Sequence, residues 1–161
     1  MILVEFGGIF YSDPVDVPSE TNVYLNLTPN INEFSDFVNN VKLLGGEDGP
    51  EDWYGDYDIA ANRMSWRNGI RCIIHITDAG GHGTDYSSGD RYPNEGPKLD
   101  NLIPRCAKVN FQMFGFNIDS EANKSFERFI SIFKSNGGKA FEIKPFNPDN
   151  NIGGNFLEYG G

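Results

Sequence analysis

Apolar and polar positions along this chain follow two periods, and the points where one gives way to the other mark out its elements. Residues 2–11 (ILVEFGGIFY) are a short apolar run in which the adjacent Gly7 and Gly8 signal close backbone approach. Ser12, Asp13 and Pro14 end it as turn residues. Residues 22–27 (NVYLNL) alternate, which predicts a short edge strand beside the first. From there the spacing changes. Ile31, Phe34, Phe37, Val38, Val41 and Leu44 recur at threes and fours, the stripe of an amphipathic helix, with Asn30 and Glu33 placed as N-cap and reciprocal partner. A second helix is expected over residues 52–64, opened by Pro50, Glu51 and Asp52 at its positive dipole end.

Residues 70–77 (IRCIIHIT) are almost continuously apolar and β-branched. That pattern predicts a central parallel strand covered on both faces, with Asp78 delivered at its carboxyl end. Residues 79–97 hold Gly80, Gly81, Gly83, Gly89 and Gly96, a long loop of the kind that tends to carry function. Residues 98–110 return to helical spacing, with Pro104 expected to kink the helix or push its start downstream. Residues 111–118 (FQMFGFNI) read as a strand. Ser120 is the expected N-cap of a helix carrying Phe126, Phe129, Ile130 and Phe133 and stopped by Asn136, Gly137 and Gly138. Residues 140–143 are a last short strand, and 147–161 an Asn- and Gly-rich tail. Strands alternating with helices after an initial hairpin predict an α/β protein, and right-handed crossovers put helices on both faces of its mostly parallel sheet.

Composition narrows the functional classes. The 161 residues suffice for one domain. Acidic residues outnumber basic ones 23 to 13, a net charge of -10, which argues against nucleic acid and anionic membrane as partners. There is no apolar run of membrane-spanning length and no basic, apolar leader. Cys72 and Cys106 are expected to be buried thiols in a reducing compartment, so the expected location is cytoplasmic.

Candidate chemistry gathers where the strands end, because open α/β sheets bind ligands outside their carboxyl edge. Asp78 is there by construction. Glu47, Asp48, Glu51 and Asp52 crowd the loop before the second helix. His75, inside an apolar strand, reads as a hydrogen-bonded core residue. His82, in the glycine-rich loop between Asp78 and Asp85, reads either as a loop-ordering residue or as part of an Asp, His, Asp group able to hold zinc or to act as base and orienter.

The ordered text Gly45-Gly46-Glu47-Asp48-Gly49-Pro50-Glu51-Asp52-Trp53, then Met64-Ser65-Trp66-Arg67, then His75-Ile76-Thr77-Asp78-Ala79-Gly80-Gly81-His82-Gly83 resembles the von Willebrand factor type A (vWA) family. It is most similar to the intracellular members, some of which are joined to an alpha-type protein kinase. The resemblance covers residues 3–146 and implies a three-layer, doubly wound, Rossmann-like vWA fold over residues 1–146, with one antiparallel edge strand. It implies a metal-ion-dependent adhesion site (MIDAS) in which Asp48 and Asp78 match two of the family's positions; Glu47 and His82 are the first candidates should other residues complete it. The family's Asp-x-Ser-x-Ser has no counterpart, and by the family's strand order the first central strand and first helix are missing. Magnesium is therefore expected to be held weakly or not at all.

The function expected is a non-enzymatic module that binds a protein partner through its carboxyl-edge loops. The alternatives are a metal-dependent hydrolase using Asp78, His82 and Asp85, and a truncated gene product with no function of its own. Kinase activity is not expected, since no glycine loop, lysine and metal-carboxylate set for phosphoryl transfer is present.

Overall fold

The structure is a computed structural model that describes residues 3–13, 23–42, 48–87, 90–140 and 144–145. Strands β1 (Phe6–Phe10) and β2 (Val23–Thr28) pair antiparallel, with a register irregularity between Phe6 and Gly8. Helix α1 (Ile31–Asn40) lies on this hairpin, Phe34 against Phe6 and Phe37 against Phe10, at ring separations of 5.7 and 5.5 Å. Gly8 permits the approach: a Cβ there would stand 2.8 Å from the Phe37 ring.

A second sheet is parallel. Strands β3 (Arg71–Thr77) and β4 (Phe111–Asn117) run in register from Arg71 beside Phe111 to Thr77 beside Asn117. Two short strands, β5 (Lys139–Ala140) and β6 (Lys144–Pro145), also pair with β4 in parallel. The protein is thus mixed α/β, as its pattern predicts. Among the described residues no ladder joins β1 to β3.

Helices α2 (Trp53–Asn62), α3 (Glu95–Lys108) and α4 (Asn123–Ser135) supply the core with one face of β3 and β4. Trp53, Ile103, Phe126 and Phe129 are fully buried there. Each such side chain contributes about 1.5–3 kcal/mol of transfer free energy, and Phe126, Phe129 and Phe133 together are the largest buried side chains holding α4. The alternate positions of β3 are different. Cys72 is exposed, and Ile74 and Ile76 are 48% and 50% exposed, because no described helix packs on that face. Coverage of β3 on both faces, and burial of both cysteines, are therefore corrected: among the described residues only the helix-side face is covered, and of the two cysteines only Cys106 is buried.

Two element boundaries also depart from the sequence pattern. Helix α3 begins at Glu95, upstream of the expected start, and runs through Pro104 to Lys108. Ser120 lies in a short 3-10 turn (Ser120–Ala122) ahead of α4 instead of capping it. Glu47, residues 141–143 of the expected strand at 140–143, and the tail at 147–161 lie outside the described residues. Among the described residues no helix is long and apolar enough to cross a membrane.

Candidate functional site

The carboxyl ends of β3 and β4 open into a cleft of about 490 Å³. Two loops build its floor by backbone pairing. The Glu51 amide donates to the Gly80 carbonyl at 2.8 Å, and the His82 amide donates to the Glu51 carbonyl at 3.1 Å. The acidic loop before α2 is thereby laid along the glycine-rich loop after β3, and Asp48 and Asp78 line one cleft together with Glu51, Asp119 and Glu121. Small residues allow the contact. A Cβ on Gly81 would stand 3.0 Å from the Trp53 indole, and the Gly81 amide donates to the buried Ser125 hydroxyl at 3.0 Å, tying the loop to α4.

So many carboxylates at one edge raise the cost of each further negative charge. Burial, and then the charges of Asp13, Asp78, Asp48 and Asp52, push the Glu51 carboxyl up to about 7. Asp56, in the first turn of α2, is pushed well above the carboxylate range by burial and then by Asp52 and Glu51.

His82 sits behind the cleft wall, 2% exposed. Its Nδ1 lies 2.7 Å from Asp90 Oδ1, and Asp90 also accepts the amide N–H groups of Tyr92, at 2.9 Å, and Gly83. Burial works against the Asp90 charge, but the Tyr92 and Gly83 amides and the His82 ring outweigh it and hold its carboxyl below the usual range. Gly83 has a φ of +113°, and a Cβ there would stand 2.4 Å from Gly96 Cα, so the turn over the start of α3 requires glycine.

On the other side of the ring, His82 Nε2 lies 3.3 Å from Asp13 Oδ1, with no hydrogen bond formed across that distance. Asp13 Oδ2 accepts the Asp48 amide at 3.2 Å, and Asp48 Oδ2 accepts the Arg91 amide at 3.1 Å. One ligand atom from each of Asp13, Asp48 and His82 lies within 4.8 Å of the other two.

Of the two sequence readings of His82, the one that groups it with Asp78 and Asp85 does not match the contacts of the ring. The turn at Gly83, closed by the Tyr86 amide on the Gly83 carbonyl at 2.9 Å, sends the Asp85 carboxylate outward to Arg128 at 3.3 Å, so Asp90 takes the ring. Sequence reasoning passes over Asp119 and Glu121 in the cleft, and Asp13 and Asp90 beside His82. Asp13 reads as a turn residue and Asp90 as one polar residue among many in a long loop. The available signal was His82 itself, a histidine among glycines at the functional edge that requires a carboxylate partner.

His75, by contrast, is part of the core. Its Nε2 lies 2.7 Å from the Tyr11 hydroxyl and its Nδ1 2.8 Å from the Tyr57 hydroxyl, with Trp53 and Phe126 at ring separations of 4.5 and 5.1 Å.

No family profile matches the chain. It is 40% identical over 116 residues, 69% of its length, to alpha-protein kinase vwkA of Dictyostelium discoideum. The chain spans 18% of the length of that protein.

Proposed function

We propose that residues 1–146 are a vWA-type interaction module, non-enzymatic, that binds a protein partner through the loops at the carboxyl edge of its sheet. The observation that carries this reading is the acidic cleft, where Asp48, Glu51, Asp78, Asp119 and Glu121 converge from separate loops at the place where open parallel sheets bind ligands. Likeness to vwkA supports the family assignment, and the family's doubly wound fold would account for the parallel β3–β4 pair and the antiparallel hairpin. The name of that relative says kinase. The part matched here is a minor share of it, and we assign it to recognition and not to phosphoryl transfer.

The partner offers basic side chains to the cleft, since a crowd of carboxylates this dense is relieved by cationic groups. Magnesium at Asp48 and Asp78 would add weakly to that attraction where no other ion holds Asp48, as a MIDAS short of its Asp-x-Ser-x-Ser. The module would act in the cytoplasm, where the exposed Cys72 stays a thiol.

The test is cross-linking in cells from the full chain, from a Glu51→Gln/Asp78→Asn/Glu121→Gln variant, and from a Lys134→Ala control near the end of α4. A partner lost by the cleft variant and kept by the control supports the reading. The same partners recovered from all three would overturn it, and ATP turnover above background by the pure chain would end the non-enzymatic part.

A further inference from the structure

We propose that Asp13, Asp48 and His82 form a binding site for a zinc-class divalent transition-metal ion, with Asp90 as the carboxylate that orients the histidine. The argument begins with the protons of one ring. Asp90 takes the amide N–H groups of Gly83 and Tyr92 on its two oxygens, so it acts as an acceptor and His82 Nδ1 is the donor to it. In the neutral imidazole Nε2 then carries a lone pair. That nitrogen is buried, makes no hydrogen bond, and stands 3.3 Å from a carboxylate oxygen of Asp13. A lone pair facing a carboxylate inside a protein is repulsive unless a proton or a metal ion lies between them, and a proton would make a hydrogen bond that this contact lacks.

The spacing identifies the kind of cation. Two ligand atoms each about 2.0–2.1 Å from a tetrahedral zinc ion stand roughly 3.3 Å apart. The Asp13 to His82 separation is 3.3 Å. In that arrangement both ligands point at a shared centre and not at each other, which accounts for a short contact that is no hydrogen bond. Asp48 supplies a third ligand: its Oδ1 is buried without a hydrogen-bond partner, while its Oδ2 is held by the Arg91 amide. The histidine's other nitrogen on a carboxylate is the outer-shell arrangement that fixes ring orientation in zinc sites. One imidazole and two carboxylates suit zinc, whereas magnesium prefers an octahedron of oxygens. Asp78 and Asp85 play no part in this site. Asp85 faces Arg128, and Asp78 is not in the group.

The experiment uses the full tag-free chain carrying Cys72→Ser, so that the exposed thiol does not compete. Zinc is titrated against a chromophoric chelator, and cobalt(II) is read by its visible absorption. The expected result is one equivalent of zinc and intense tetrahedral cobalt bands. Asp90→Asn should weaken zinc affinity by about 10–100-fold, the usual cost of an orienting partner. His82→Gln and Asp48→Asn should weaken it at least as much, and Asp78→Asn should leave it within about threefold. His82 is buried and its variant can misfold, so Asp48→Asn, checked by circular dichroism, decides the matter alone if necessary. Absence of stoichiometric zinc at about 100 times a micromolar Kd, where saturation is expected, would overturn the proposal. So would unaltered affinity in folded Asp48→Asn, or an imidazolium at His82 at pH 7 that does not respond to zinc in NMR. Zinc affinity is read on pure protein and partner retention in cells, so this proposal and the interaction reading can fail separately.

Discussion

At the scale of single residues the two histidines of this chain divide the roles open to that side chain. His75 lies between two tyrosine hydroxyls inside the aromatic core, and burial holds its pKa at about 3. The unfolded chain takes up a proton near pH 6.5 that the folded chain refuses until about 3, so His75 lowers stability on acidification through that window, by at most about 1.4 kcal/mol per pH unit. Glu51 acts in the opposite direction. Its folded value of about 7 exceeds the ordinary 4.5, so the folded state binds more protons between these values and loses stability as pH rises through them. The two effects offset each other where the windows overlap, and below about 4.5 the His75 effect continues without that counterweight. The direct check is NMR of the ring: His75 should keep the signature of a neutral imidazole from pH 7 down to 4.5, and a midpoint near 6.5 would refute its sealed position. His75 was legible in the sequence because an apolar strand surrounds it. The Asp90 partner of His82 was not, because a backbone turn selects between two aspartates that look alike in a loop.

At the scale of elements, periodicity located β3, β4, α1 and α4, while capping and coverage depended on tertiary neighbours. Helix α1 shows how. Asn30 caps it as its position predicts, accepting the amides of Asn32 at 3.1 Å and Glu33 at 3.5 Å. The reciprocal half of the box is rerouted. The Glu33 carboxylate accepts from the Thr28 hydroxyl at 2.7 Å, and that same hydroxyl oxygen accepts the Asn30 amide at 3.1 Å, so the end of β2 takes the place of a direct bond. Asn30→Ala should cost about 1 kcal/mol, read by urea denaturation at constant m-value. Because α1 buries no residue completely, this cap carries an unusual share of its stability. Pro104 shows the converse: the rule that proline breaks a helix yields to packing, since Leu99, Leu102, Ile103, Cys106 and Ala107 bury one face of α3 on both sides of it.

At the scale of the whole molecule, the described residues leave one side of the parallel sheet open. Ile70, Ile74 and Ile76 are 82%, 48% and 50% exposed, and among the described residues β3 pairs only with β4, so an apolar face and a strand edge without a described partner coincide. Such surfaces drive association. The full chain is expected to self-associate at micromolar concentration, and Ile74→Lys with Ile76→Lys should shift it toward monomer. Light scattering during size-exclusion chromatography would show this, and a wild-type monomer at about 100 µM would count against it, that being well above the micromolar range expected. The α/β class was readable from the order of elements. The uncovered face was not, since a β-branched apolar strand looks the same whether one side or both are packed.

Among the described residues no ladder joins the hairpin to the parallel sheet, and this bears on how the protein opens. The hairpin is fastened by side chains: Glu5 to Arg67 at 3.0 Å, Asn26 to Ser65, Tyr11 to His75, and Asp13 against His82. A unit attached in this way can detach while β3, β4 and their helices stay folded. Amide hydrogens of β1 and β2 should therefore exchange through a partial opening of lower free energy than those of β4, and native-state exchange in low denaturant would separate the two classes. Equal exchange free energies in both sheets would mean a single cooperative unit. Asp13, immediately beyond β1, makes the fastening chemical as well as mechanical: an ion gripped by Asp13 and His82 would raise the free energy of every opening that breaks that grip, the hairpin's partial opening included.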